Sequence, residues 1–326
     1  MSFRSIYGHE KQIRGLRGAL EQNRVPHAYL FSGMPGIGKK IVAAALAKKL
    51  NCTGAPASGD TCDVCASCLK MDHGTHPDLV FIEPEGQFIR IKAIRDLQAQ
   101  MQYNPLEGRC RVIIIDDADR MNITSANALL KTIEEPAARN HLVLITGNPS
   151  GLPRTILSRC QQVRFSPLHR DTIAACLKTR HSLPEGDATM IAGASGGSLA
   201  QALELAREGY KNFRDRTLND LIAVLDHDIP TMLSFSADFG KERDEVTKRL
   251  NILRSCFRDA LVYRETGESG TLINCDRPDI ITNLARRFSG KDLLNHLRTV
   301  AMAVQAVEQN ANKALTLEAM MFKLAH

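Results

Sequence analysis

The sequence has no tryptophan, and five tyrosines with eleven phenylalanines bring the aromatic share to only 5%. Chains that grip nucleic acid by stacking interleave aromatics with basic residues, and nothing of that kind flanks the cysteines here. Long hydrophobic runs are missing as well. No apolar stretch reaches the length that crosses a bilayer, and the opening Met1-Ser2-Phe3-Arg4-Ser5 lacks the features of a secretory leader, so a cytoplasmic protein is expected. There is no internal repeat and no low-complexity tract. Charge is not dominated by one sign: 42 basic against 36 acidic residues leave a net +6, spread along the whole chain, which permits contact with nucleic acid without requiring it. What is present is an ordinary globular composition, 44% hydrophobic over 326 residues, long enough for two or three domains. Nine cysteines in a reducing compartment do not build a disulfide framework, and four of them cluster.

Short apolar or β-branched runs at 29–32, Leu79–Ile82, Arg111–Ile115 and 141–146 alternate with helical patterns. That alternation is the signature of an α/β domain around a buried parallel sheet. Within 125–135, Ala126, Leu129, Leu130 and Ile133 recur at helical spacing until Pro136 stops the helix. Beyond Ser166 the strand signals end. Helical pieces at 171–177 and 198–208 are joined by a turn region at 193–197. Further on, Val246, Leu250, Leu253, Phe257 and Leu261, then Leu293, Leu297, Val300, Val304 and Val307, mark two long amphipathic helices. The expected layout is an α/β nucleotide-binding domain over 1–166, a small helical lid over 167–208 and an all-helical domain over 209–326.

The richest chemistry follows the first apolar run. Gly33-Met34-Pro35-Gly36-Ile37-Gly38-Lys39-Lys40, leading into a helix at 41–50, is a phosphate loop complete except at its last position. In such loops the glycines Gly33, Gly36 and Gly38 turn backbone N–H groups toward phosphates, Lys39 reaches the β and γ oxygens, and a Ser or Thr hydroxyl ligates Mg²⁺. Lys40 stands where that hydroxyl belongs, and an ammonium cannot coordinate a cation. A nucleotide-binding fold is expected; binding of ATP with Mg²⁺ is not assured. Asp116 and Asp117, at the end of a strand buried on both faces, form a Walker B type pair, in which the first acid serves the metal and the second polarises the attacking water. The competing reading is a pair of acids opening a solvated loop. Asn148, closing the fourth strand, is a candidate γ-phosphate sensor, with a turn-forming Asn before Pro as the alternative. Arg159, in Ser158-Arg159-Cys160, is either a surface charge or an arginine finger acting on a neighbour's nucleotide.

Cys52, Cys62, Cys65 and Cys68 are separated by nine, two and two residues. Thiolates so spaced wrap one tetrahedral Zn²⁺, and four closed ligands leave no position for substrate, so a structural zinc module over 52–68 is expected. Two alternatives stay open: four buried free cysteines, or His73 or His76 in place of Cys52.

Together these motifs resemble the clamp-loader branch of the AAA+ ATPases, most closely the delta-prime subunits of bacterial DNA polymerase III. The matching stretches are Tyr7-Gly8-His9-Glu10, Pro26-His27-Ala28-Tyr29-Leu30, the cysteine module, the run from Ala126 through Asn127, Ala128, Leu129, Leu130, Lys131, Thr132, Ile133, Glu134 and Glu135 to Pro136, and Ser158-Arg159-Cys160. Similarity is strong over 1–167 and diffuse beyond, apart from 312–318. The resemblance implies an AAA+ domain followed by a lid and a helical collar. It also implies a five-subunit ring with gamma/tau-like motors and a clamp-opening delta-like subunit, loading a sliding clamp onto primed DNA. Motor subunits of that family carry Thr after the P-loop Lys, Glu as the second acid and an Arg in the lid. Here those positions hold Lys40, Asp117 and Ala200, the last within 197–203. Arg159 survives, and such a finger serves the neighbour's site. The resemblance therefore implies a ring subunit that lends Arg159 in trans and hydrolyses little or no ATP itself; the alternative is an active gamma/tau-like motor.

Overall fold

The computed structural model describes residues 2–54, 60–207, 209–225, 239, 240 and 242–325. The stretch 55–59 of the cysteine module, residue 208 at the end of the expected lid helix, and 226–238 of the C-terminal region lie outside them.

Two units separate, Met1–Thr172 with Gly197–Ala200, and Ile173–Gly196 with Gln201–His326. The first is built on five parallel strands, β1 (Ala28–Ser32), β2 (Leu79–Ile82), β3 (Arg111–Ile115), β4 (Asn140–Thr146) and β5 (Gln161–Arg164), ordered β2-β3-β4-β1-β5. In β1 and β3 every residue is buried, as continuous apolar runs such as Val112-Ile113-Ile114-Ile115 require when both faces of a sheet are covered. Alternate side chains part to opposite faces. Tyr29, Phe31, Val112, Ile114 and Val143 pack with Ile13 and Leu16 of α1 (Glu10–Glu21) and with Val42 and Leu46 of α2 (Lys39–Asn51). Leu30, Ile113, Ile115, Leu142 and Leu144 pack with Leu97 of α4 (Ile91–Met101) and Leu129 of α5 (Ile123–Glu134) from the other side, while the short α3 (Ala66–Asp72) packs on α2. The α/β fold with a parallel sheet is thus observed.

Two details of the first 200 residues differ from the sequence expectation. The sheet has a fifth strand, β5, where only four were expected. Its sequence Gln161-Gln162-Val163-Arg164 is exposed and polar because it lies at the edge beside β1, so it carries neither alternation nor an apolar run. The expected turn at 193–197 starts later: after α6 (Arg154–Leu157) and α7 (Arg170–His181), α8 (Glu185–Ala194) carries Gly193 inside the helix, and α9 (Leu199–Arg207) follows the turn.

Past α8 and α9, the second unit holds α10 (Tyr210–Leu225), α11 (Arg243–Thr266), α12 (Pro278–Arg287), α13 (Gly290–Glu308) and α14 (Lys313–Ala325). Val246, Leu250, Leu253 and Phe257 of α11 meet Leu293, Val300, Val304 and Val307 of α13 in one core. The stripe on α13 is turned slightly from expectation. His296 faces inward and Leu297 is only partly buried, because 293, 296, 300, 303 and 307 keep closer to one helical face. The His296 ring stacks edge-on against Phe257 and Phe288, centroids 5.2 and 4.7 Å away, and its Nδ1 has no hydrogen-bond partner. Among the described residues, no helix is long and apolar enough to cross a membrane.

Candidate functional site

The C-terminal ends of β1, β3 and β4 carry the phosphate loop, the acidic pair and the sensor candidate. Leaving β1, the chain turns through Gly33 to Gly38 into the N-terminus of α2. Gly36 has φ 76°, and a Cβ there would stand 2.2 Å from Ser198 Oγ and 2.9 Å from Ala200 Cβ. The 197–200 segment therefore docks on the loop, with Ala200 N–H donating to Gly36 O at 3.0 Å. The methyl side chain of Ala200 thus sits against the loop at Gly36.

Lys39 is buried and turned into the loop, its Nζ donating to Gly33 O at 2.6 Å and Met34 O at 2.8 Å. Burial lowers its pKa from the ordinary lysine value, against the opposing charges of Asp116, Asp117 and Asp119. Asp116 follows β3 directly, its N–H donating to Ile82 O at 2.9 Å. Asp117 takes a left-handed conformation, φ 46°, and pairs with Arg120 at 3.5 Å. β4 closes on the loop from the other side, where Gly33 N–H donates to Thr146 O at 3.3 Å. Thr146 Oγ1 donates to Asp119 Oδ1 at 2.5 Å and accepts from Asn148 N–H at 2.9 Å, and the Asn148 side chain is exposed at the strand's end. The structure thus gathers Gly33, Gly36, Gly38, Lys39, Asp116, Asp117 and Asn148 at the C-terminal end of the sheet.

Lys40 joins them in a way that spacing alone did not reveal. Its Nζ donates to Glu83 and lies 3.5 Å from Asp116 Oδ2. Magnesium does not fit this arrangement: the hydroxyl ligand is absent, and an ammonium already sits on the carboxylate that the ion needs. Glu83 and Asp119 were both missed in the sequence. For Glu83 a signal existed, because Ile82 and Ile115 are paired in parallel register and the residues that follow must emerge side by side.

Arg159 lies apart from this end, between α6 and β5. Cys160 is buried in the core, where its thiol is pushed up to about 11, and this anchor leaves the preceding side chain at the surface. The Arg159 side chain is 40% exposed, and its guanidinium forms a 2.8 Å ion pair with Glu134 at the end of α5 and donates to Thr155 O at 3.1 Å. Glu134 itself is held on a helix end fixed by His27, whose Nε2 lies 2.9 Å from Ile133 O.

The sulfurs of Cys52, Cys62, Cys65 and Cys68 lie within 4.8 Å of one another. Cys52 ends α2 and Cys65 caps α3. The N–H groups of Cys62, Cys65 and Cys68 each donate to the preceding sulfur in the set at 3.4 Å, the pattern that stabilises thiolates around a cation. Amides of Val64 and Cys65 lower the Cys62 pKa; burial opposes ionisation of Cys65, yet hydrogen bonds from Thr53 and Cys68 draw it down to about 5. This donor set fits zinc. His76 is instead turned away to accept from Asp78 N–H at 3.1 Å. Gly54, also missed, is pressed against Cys62, whose Sγ would meet an added Cβ at 2.7 Å. The module is wired to the α/β body through buried charges. Asp60 accepts from the N–H groups of Phe3 and Arg4 and from Arg17, and Lys48, 1% exposed, donates to Asp63 and Asp72.

Relatives match this chain in two ways. A family model described as DNA polymerase III, delta subunit, covers residues 8–169, and one for the C-terminal region of the delta subunit covers 210–326. The DNA polymerase III subunit delta' of Bacillus subtilis is 32% identical over 91% of this chain and 90% of its own length. The tau subunit of Escherichia coli is 36% identical over 70% of this chain, which spans only 36% of tau. Among solved structures, a gamma subunit-related protein of Thermotoga maritima aligns over 96% of this chain and 98% of its own, with TM-score 0.45 and 18% identity. With two models placed in order along it and a delta' relative aligned almost end to end, the chain belongs to the DNA polymerase III delta-subunit family of clamp-loader subunits.

Proposed function

We propose that this chain is a delta-prime-type subunit of a clamp loader, which lends Arg159 in trans to ATP on a neighbouring gamma/tau-like motor and turns over little or no ATP itself. The observation that carries this reading is Lys40, seated on Asp116 at the chain's own phosphate loop while Arg159 stands exposed elsewhere. Ala200 and Asp117 point the same way, since each replaces a longer group that handles γ-phosphate or water in the motors the sequence resembles. Arg159 would neutralise charge developing on the γ-phosphoryl oxygens, a task for which a planar guanidinium with five donors is suited. Residues 167–208 would serve as lid and 209–326 as the collar that joins the ring, with a delta-like subunit, the sliding clamp and primed DNA as further partners in the cytoplasm. Zinc on Cys52, Cys62, Cys65 and Cys68 would hold the module folded and take no part in chemistry. The rival reading, an active gamma/tau-like motor, draws on the 36% identity to tau.

The test is a ring reconstituted with Arg159→Ala. Assembly should be normal, clamp- and DNA-stimulated ATPase should fall severalfold, and the same change in the isolated chain should do nothing. A mutant ring that assembles and loads clamps at the wild-type rate overturns the trans role.

A further inference from the structure

Two lysines stand side by side where the phosphate loop becomes α2, and they are used differently. Lys39 turns inward to the loop carbonyls. Lys40 turns toward the ends of β2 and β3, where its ammonium donates to Glu83, lies 3.5 Å from Asp116 Oδ2 and sits 5.3 Å from the centroid of the Phe81 ring. Parallel register brings Glu83 and Asp116 out of the sheet together, one strand apart. Two carboxylates so placed repel each other and call for a cation between them. Elsewhere in P-loop proteins that cation is a divalent ion held by the loop hydroxyl and the acid after the strand. Here it is attached to the chain. Burial works to lower the Lys40 pKa, but the hydrogen bond to Glu83 and the charge of Asp116 outweigh it and raise it.

We propose that Lys40 is a resident cation, which takes the place of the divalent ion and closes the Asp116 and Glu83 carboxylates to Mg²⁺ and Mn²⁺. Any polyphosphate that reaches this loop is then bound as the metal-free anion, with Lys39 and the remaining donor of Lys40 as its positive groups. The inference stands on the loop alone and is independent of the role of Arg159.

The experiment titrates Mn²⁺ into the full chain, loaded with zinc so that the thiols do not compete, with and without ATP, and reads free Mn²⁺ by electron paramagnetic resonance. The wild type should take up no Mn²⁺ beyond what ATP alone binds, and its melting temperature should respond equally to ATP added without a divalent ion and to ATP with Mg²⁺. Lys40→Thr should gain one Mn²⁺ per chain in the presence of ATP, at least tenfold tighter than the wild type, and adding Asp116→Asn should abolish it. Lys40→Ser, which supplies the same hydroxyl on a smaller side chain, repeats the measurement should the threonine variant fold poorly. Wild-type protein that binds one Mn²⁺ as tightly as Lys40→Thr overturns the proposal. So do Lys40 variants that fold yet stay metal-free, since Lys40 is then not what excludes the ion.

Discussion

Stripping zinc from the cysteine cluster should release one identifiable stretch of the chain while leaving the sheet intact. The four sulfurs join the end of α2 to the start of α3, so without a metal nothing holds the thiolates within 4.8 Å of each other. Cys68 and Met71 lose their buried positions, and Asp60 no longer receives the N–H groups of Phe3 and Arg4. Burial of a methionine side chain is worth about 2 kcal/mol. Two hydrogen bonds to a buried carboxylate contribute about 3 kcal/mol more. The Lys48 pairs add little, because Asp63 and Asp72 are 49% and 31% exposed and a solvent-screened pair contributes at most about 1 kcal/mol. A loss of about 5 kcal/mol follows, which for a domain of this size lowers the melting temperature by roughly 15 °C and does not unfold it outright. The assay chelates the metal under reducing conditions, quantifies zinc released, and follows melting and amide exchange. Amides of 60–72 and of the N-terminal turn should lose protection while β1, β3 and β4 keep theirs, and Cys65→Ser should reproduce the effect. Freshly reduced protein containing no zinc, or chelation that leaves melting and exchange unchanged, refutes the reasoning.

The isolated wild-type chain should turn over ATP barely above background, and Lys40→Thr should not make it a good ATPase, because Asp117 and Ala200 remain; turnover at the rate of an assembled motor contradicts this. If the trans role holds, Glu134→Ala should change ring ATPase in the presence of Arg159 and have no further effect on Arg159→Ala, since the 2.8 Å pair fixes where the guanidinium points; equal effects in both backgrounds break the link. Burial lowers the His296 pKa below its ordinary value, partly opposed by Asp292, so unfolded chains take up a proton near pH 6.5 that the fold refuses. This stability is fully present above that pH and is lost as pH falls through it. In urea titrations at pH 7 and pH 5, His296→Leu should therefore shrink the difference in stability between the two; an unchanged difference rejects the assignment.

Much of the site was legible in the sequence because covalent spacing and strand ends are local. The glycines and lysines of the loop, the acids after an unbroken aliphatic run and the four cysteines each declare themselves within a few residues. Glu83 did not, for its significance depends on which strand lies beside β2 and in what register, and that is settled only by packing. Asp119 and Glu134 are similarly silent until Thr146 and Arg159 are brought to them. β5 escaped notice because an edge strand with solvent on its outer side needs no apolar alternation. The small rotation that puts His296 into the core in place of Leu297 reflects the same limit: a periodic pattern fixes a helix face to within about one residue, and the neighbours Phe257 and Phe288 choose between candidates.

The polar outer strand has a consequence for how the protein behaves in a crowd. β5 is the last strand in the sheet beyond β1, so one row of its backbone groups is left without a strand partner. Gln161, Gln162 and Arg164 are exposed along it, and Gln12 of α1 reaches over to donate to Arg164 O at 2.6 Å. An extended segment from another molecule gains little by annealing to such an edge, since it would find solvated amides and a guanidinium where a sticky apolar ribbon would reward it. The sheet can therefore end in water without becoming a seed for growth, and copies of the chain can be held at high concentration while folding with little risk of zipping together along that side.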